Sequence, residues 1–193
     1  MSIARFSIKK EIRVLGIDDS PFKKFDKSNV LVIGTVFRGN SIIEGILSTK
    51  VRIDGNNSTK KLIEMINKSR FKSQLRCIFL DGIALAGFNV IDIKELNKKT
   101  KIPVIVIIRH KPNIKKIKET LININKKNKI KLIDKAGEII KINKIYVQLK
   151  GLKKEKAKKI LDLVCTRSFI PEPVRVAHLI ASGIAKGESK GKA

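Results

Sequence analysis

Tryptophan is absent from this sequence, tyrosine occurs once, and cysteine and histidine occur only twice each. Cys77 and Cys165 are far apart and neither belongs to a C-x-x-C pair, so nothing here supports a structural zinc site. Cys165 falls at or near the end of an expected helix and reads as a buried thiol. No G-x-S-x-G, Walker phosphate loop or G-x-G-x-x-G occurs, which removes the usual sequence support for those enzyme classes. No apolar run approaches the roughly 18 residues of a membrane span. The opening MSIARFSIKKEIRV lacks the long apolar segment of a signal peptide, so the chain is expected to be cytoplasmic and reduced.

Acidic residues are scarce too. Asp and Glu number 17 against 43 Lys and Arg, a formal net charge of +26. Charge of that size attracts polyanions, of which nucleic acid is the usual one. It is spread along the whole chain, however, and a genome or habitat bias toward lysine explains it equally well. Charge alone therefore says little about function.

What is abundant is aliphatic. The 193 residues are 42% hydrophobic but only 5% aromatic, so the core is Ile, Leu and Val. The length fits one domain, expected over 1–185, with a flexible basic tail at 186–193. A short apolar stretch, 12–17, ends in Asp18-Asp19-Ser20-Pro21. The run 29–37 stops at Arg38-Gly39-Asn40 and is followed by 42–53, which together predict an antiparallel hairpin. Apolar spacing predicts helices over 58–69 and 153–164, and a basic helix from 113 to about 126. Asp92 reads as the N-cap of a short helix through 96. Short buried strands are expected at 76–80 and 103–108, and two more, near Lys131 and over 144–149, flanking the Gly137 turn. Pro171-Glu172-Pro173 opens a last helix over 174–185. This order predicts an α/β fold: a mixed sheet with an antiparallel hairpin start and helices on both faces.

Acidic residues stand at three kinds of strand end: Asp18 and Asp19 after the first, Asp54 after the third, Asp81 after the fourth. Converging carboxylates repel and raise one another's pKa unless a cation lies between them, and such oxygen ligands suit Mg²⁺ or Mn²⁺. Turn chemistry is the competing account, since Asp54-Gly55, Asp81-Gly82 and Asp19-Ser20-Pro21 are all common turn sequences. His178 lies in the last helix, on roughly the face that carries Arg175, and reads either as a structural or surface histidine or as a ligand.

Five segments carry a resemblance to a family. Gly16-Ile17-Asp18-Asp19-Ser20-Pro21-Phe22, Thr35-Val36-Phe37-Arg38-Gly39 and Val51-Arg52-Ile53-Asp54-Gly55 resemble motifs of the archaeal endonuclease dU family. So do the longer segments from Leu80-Asp81-Gly82 to Gly87-Phe88-Asn89-Val90 and from Ile170-Pro171-Glu172-Pro173-Val174-Arg175 to His178 and Ser182. That family is similar to endonuclease V, a Mg²⁺-dependent enzyme of ribonuclease H-like fold that nicks strands near deaminated bases. The resemblance implies a DNA-binding hydrolase working in DNA repair, with one or two Mg²⁺ (or Mn²⁺) ions held by Asp18, Asp81 and Asp54, the last a substitute for a glutamate without a clear counterpart. Endonuclease V carries an acidic residue where this chain has His178, which can ligate Mn²⁺ but suits Mg²⁺ poorly. Arg109, after the fifth strand, is a candidate for stabilising phosphate charge or a solvated surface arginine. The loop 82–89, with Phe88 and Asn89, is small enough to approach a base, and Arg175 joins it as a nucleic-acid-binding candidate; Phe88 as core filling is the plainer reading.

Two other functions stay open. One is a nucleic-acid-binding protein without catalysis on the same scaffold, as the charge and the missing fourth carboxylate suggest. The other is a metal-dependent enzyme acting on a small phosphorylated metabolite.

Overall fold

The computed structural model describes residues 11–23 and 28–189. Its framework is a seven-stranded sheet in the order β3-β2-β1-β4-β7-β9-β8. β1 (Arg13–Asp19), β2 (Asn29–Arg38) and β3 (Ile42–Arg52) form an antiparallel meander. β4 (Cys77–Asp81) lies parallel to β1, and β7 (Val104–Ile108) parallel to β4. β9 (Ile145–Lys150) and β8 (Ile140–Ile142) close the other edge, antiparallel. The expected mixed sheet, hairpin first, is what forms.

The central strands carry apolar residues on both faces, and their period of two assigns each face its own helices. Leu15, Ile17, Ile78, Leu80, Val104 and Val106 pack against α1 (Ser58–Lys68) and α2 (Ile93–Thr100). Val14, Cys77, Phe79, Ile105 and Ile107 pack against α5 (Lys154–Val164) and the start of α6 (Glu172–Lys186). Asp92 caps α2 as expected, accepting the Glu95 N–H, but that helix runs on to Thr100. Likewise Asn113 caps α3 (Ile114–Asn123).

Two segments differ from expectation. The strand expected near Lys131 is a helix, α4 (Ile130–Lys135), preceded by a turn of 3-10 helix. Ile130 and Leu132 alternate with lysines as in a strand, yet Ile130 and Ile133 pack with Leu121 of α3, and that spacing belongs to a helix. The loop expected over 82–89 is a tight hairpin, β5 (Ala84–Leu85) and β6 (Asn89–Val90), with Ala86 and Gly87 both at positive φ at its tip. At the C-terminus Lys186 still belongs to α6 and the Ser189 hydroxyl donates to the Leu179 carbonyl; of the expected tail, 190–193 lies outside the described residues. Among the described residues no helix is long and apolar enough to cross a membrane.

Candidate metal centre

The same period of two that sorts the core sorts the acids. Asp18 continues the series Val14, Gly16 on the α5–α6 face; Asp81 continues Cys77, Phe79; Arg109 continues Ile105, Ile107. All three therefore leave the sheet at the same end and toward the same side. Asp19 is turned to the opposite face, where its Oδ2 accepts the Ala86 N–H at 3.0 Å.

α6 completes the site because nothing holds it off the sheet. A Cβ on Gly16 would lie 2.2 Å from the Pro173 carbonyl carbon, so only glycine lets the first turn of α6 rest on β1. Thr35, paired with Gly16 across the strands, donates its hydroxyl to the Pro173 carbonyl at 2.6 Å. Further along that helix His178 meets Asp18, with Nδ1 2.8 Å from Oδ2. With the proton on Nδ1 the imidazole donates this bond, the arrangement by which a second residue orients a ligating carboxylate. Its other nitrogen, Nε2, is buried without a hydrogen-bond partner among the described residues.

Among the described residues, Asp18, Asp81 and His178 form the group whose ligand atoms all lie within 4.8 Å of one another. Burial first, then the nearby charges of Asp81 and Asp19, push Asp18 up to about 8, against the weaker opposing pull of the Asp19 N–H and Arg109. Burial likewise raises Asp19, to about 6. Arg109 donates from Nη2 to Asp81 Oδ2 at 2.9 Å. Two close carboxylates, one of them driven toward its neutral form, with an imidazole at hand, fit a divalent cation, whose charge would offset both the burial of Asp18 and the nearby charge of Asp81. Beside Asp81 a pocket of about 390 Å³ opens between Gly82, Ile83, Ile108, Ile117 and Ile133, within the usual size range of ligand pockets.

The remaining candidates are placed elsewhere. Asp54 does not join the cluster: at φ 50° it turns its Oδ1 to the Phe88 N–H, 2.8 Å away, so one carboxylate oxygen serves the hairpin. Asn89 is fully buried; its Oδ1 accepts the Ser58 N–H, and its Nδ2 donates to the Arg52 carbonyl and to Asn57. That leaves Asn89 a structural bracket, not a contact for nucleic acid. Phe88 is half-buried and packs in the cluster of Val90 and Leu121. Arg175 donates twice to Glu172. Burial alone would raise Glu172, but the bonds from Arg175 and Thr166 prevail and lower it. Cys165 is a half-buried thiol, pushed up to about 12 by burial.

One residue that sequence reasoning missed is Lys129. It is 1% exposed, and its Nζ donates to the carbonyls of Asp54 (2.8 Å), Gly55 (2.6 Å) and Phe88 (2.5 Å). Burial lowers it to about 8. In a chain with 43 Lys and Arg, no feature of the sequence marks this lysine out.

A family model described as endonuclease dU matches residues 10–185. The chain belongs to the endonuclease dU family. A relative from Methanothermobacter thermautotrophicus, a UPF0215 protein, is 46% identical over 191 residues, covering 96% of this chain and 94% of its own. A crystal structure from Archaeoglobus fulgidus, of a protein of unknown function, is 41% identical and superimposes with a TM-score of 0.81 over 89% of this chain and 97% of that one. The fold is shared more widely. Ciona intestinalis endonuclease V, solved with a 24mer DNA containing an inosine followed by a ribo-adenosine, is 19% identical. It matches with a TM-score of 0.60 over 96% of this chain and 90% of that chain.

Proposed function

We propose that this endonuclease dU family member is a divalent-metal-dependent endonuclease that hydrolyses phosphodiester bonds in DNA containing uracil or another deaminated base. The observation that carries this reading is the meeting of Asp18, Asp81 and His178 within 4.8 Å at one sheet end. Support comes from the family's description and from the fold shared with an endonuclease V bound to inosine-containing DNA.

Asp18 and Asp81 would hold the ion, Mg²⁺ or Mn²⁺. When bound, such an ion supplies Lewis-acid stabilisation of a phosphate and an activated water. The protein's own contributions are positional. His178 fixes the direction of the Asp18 carboxylate and, as a nitrogen ligand, would favour Mn²⁺. Arg109 brings positive charge beside Asp81, where phosphate charge develops. The pocket next to Asp81 gives an unstacked base a largely apolar recess.

Purified protein, labelled uracil-containing duplex and Mg²⁺ or Mn²⁺ provide the test. A nicked product is expected from the wild type and none from Asp18→Ala or Asp81→Ala; cleavage that survives either change rejects the reading. The net charge of +26 favours a second reading, a binder without catalysis. It predicts steeply salt-dependent binding and no product with any ion.

A further inference from the structure

The cluster has a recess on each side. One lies beside Asp81, between the ends of β4 and β7 and the helices α3 and α4. The other, of about 620 Å³, lies beyond Asp18, between the end of β1, the start of β2 and the last turn of α6; its lining includes Ser20, Phe22, Lys23, Asn29, Ile184 and Lys186. The Ser20 N–H still bonds to the Leu31 carbonyl of β2, so Ser20 keeps the strand period and follows Asp18 on the same face. α6 contributes His178 to the cluster and Ile184 and Lys186 to this recess. Recess and cluster are therefore neighbours on one strand and one helix.

The lining is unusual in kind. Phe22 is 37% exposed and Ile184 63%, on a chain with few aromatic residues. Two exposed lysines flank them. Ser20 is only 5% exposed, yet its Oγ has no hydrogen-bond partner among the described residues. An open aromatic ring beside lysines takes a base by stacking and its phosphate by charge, the combination found in grooves for single strands. A purely apolar partner leaves the two lysines unanswered, and a phosphorylated metabolite without a base gains nothing from the Phe22 ring.

We infer that this recess is a second nucleotide subsite, holding one nucleotide of a nucleic-acid strand adjacent to the phosphate at the Asp18–Asp81 cluster. Its base lies against Phe22 and Ile184, and its phosphate meets Lys23 and Lys186. Neighbouring strands are about 4.8 Å apart. The bound strand thus crosses the sheet end from β2 to β7, one nucleotide in each recess and the cluster between. The inference rests on the nuclease reading only for what happens in the middle.

Binding of a labelled single-stranded oligonucleotide, followed by fluorescence anisotropy in EDTA, tests it without cleavage. Phe22→Ala is expected to weaken binding about five- to hundredfold, the loss of one stacked base. The double variant Lys23→Gln/Lys186→Gln is expected to lower the log–log salt slope by about 0.7, from the one phosphate they share on a single strand. The pair Lys141→Gln/Lys144→Gln, on β8 and the turn that follows it at the far edge, should leave that slope unchanged. All these side chains are at the surface, and an unaltered unfolding midpoint checks that each variant folds. Wild-type binding by Phe22→Ala overturns the subsite, and so does an equal slope change in the far-edge pair. A free mononucleotide that competes as well as the oligonucleotide also overturns it, in favour of a small-molecule site. Phe22-dependent binding by a protein that cuts nothing supports the subsite and rejects the nuclease reading.

Discussion

Asp18 and Asp54 both stand where a strand gives out at the same end of the sheet, and they have opposite surroundings. Around Asp54 the backbone turns back on itself: the Phe88 N–H meets its carboxylate, its own N–H bonds to the Ala86 carbonyl, and Lys129 gathers three carbonyls of the turn and hairpin. Around Asp18 the backbone offers one N–H, from Asp19, and the rest is side chains: His178 on one oxygen and the charge of Asp81 nearby. A strand-end aspartate becomes a latch where a turn delivers amide donors to it. It becomes available to a ligand where the chain runs on and another carboxylate arrives instead.

The contrast is sharpest in activity. Asp18→Asn or Asp81→Asn should lower cleavage by at least about 10³-fold, the several kcal/mol that a bound metal contributes to such a step. Asp54→Asn should leave the rate within about threefold while losing roughly 1 kcal/mol of stability with its charged acceptor, seen in urea unfolding. Equal rate losses at positions 18 and 54 would erase the distinction. Next in size is Lys129→Met. It strands three carbonyls at roughly 1 kcal/mol each and should cost about 3 kcal/mol in the same unfolding measurement, whereas Lys141→Met should cost almost nothing.

Stability against pH separates the two aspartates in another way. The folded protein holds Asp18 protonated up to about 8, well above the ordinary aspartate value of 3.8, so folding binds a proton that the unfolded chain does not. Stability from this group is fully present below about 4 and declines as pH rises through the window to about 8; Asp19, raised to about 6, adds to the lower part of the decline. In EDTA the unfolding midpoint should therefore fall between pH 5 and pH 8.5. Asp18→Asn should flatten the fall and, at pH 8, raise the midpoint by at least about 2–4 °C, the shift that 1 kcal/mol gives a chain of this size. A midpoint insensitive to pH, or lowered by Asp18→Asn, contradicts a carboxyl that burial and neighbouring charge hold in its neutral form. The smallest effect concerns ion choice. His178→Asp replaces a nitrogen donor by oxygen and should lower the ratio of Mn²⁺- to Mg²⁺-supported cleavage severalfold; an unchanged ratio would place His178 outside the ion's reach.

Much of this could be read in advance. The apolar runs that became β1, β2, β4 and β7 are short and bounded by turn residues, and local geometry suffices to make them strands. Alternation then places Asp18, Asp81 and Arg109 on one face. It fails where two periods fit the same letters, as around Lys131, where lysine-isoleucine alternation imitates a strand and packing on Leu121 decides for helix.

The sequence by itself determined the strands, their facing and the sheet end on which the acids stand, because those follow from backbone periodicity within a few residues. Only the tertiary structure decided which acids meet. His178 reaches Asp18 because Gly16 and Thr35 let α6 lie directly on β1, and Asp54 is withheld because the β5–β6 hairpin and Lys129 close over it. Each of those partners is remote in sequence. Whether they come together depends on helix seating and backbone donors that no local pattern records.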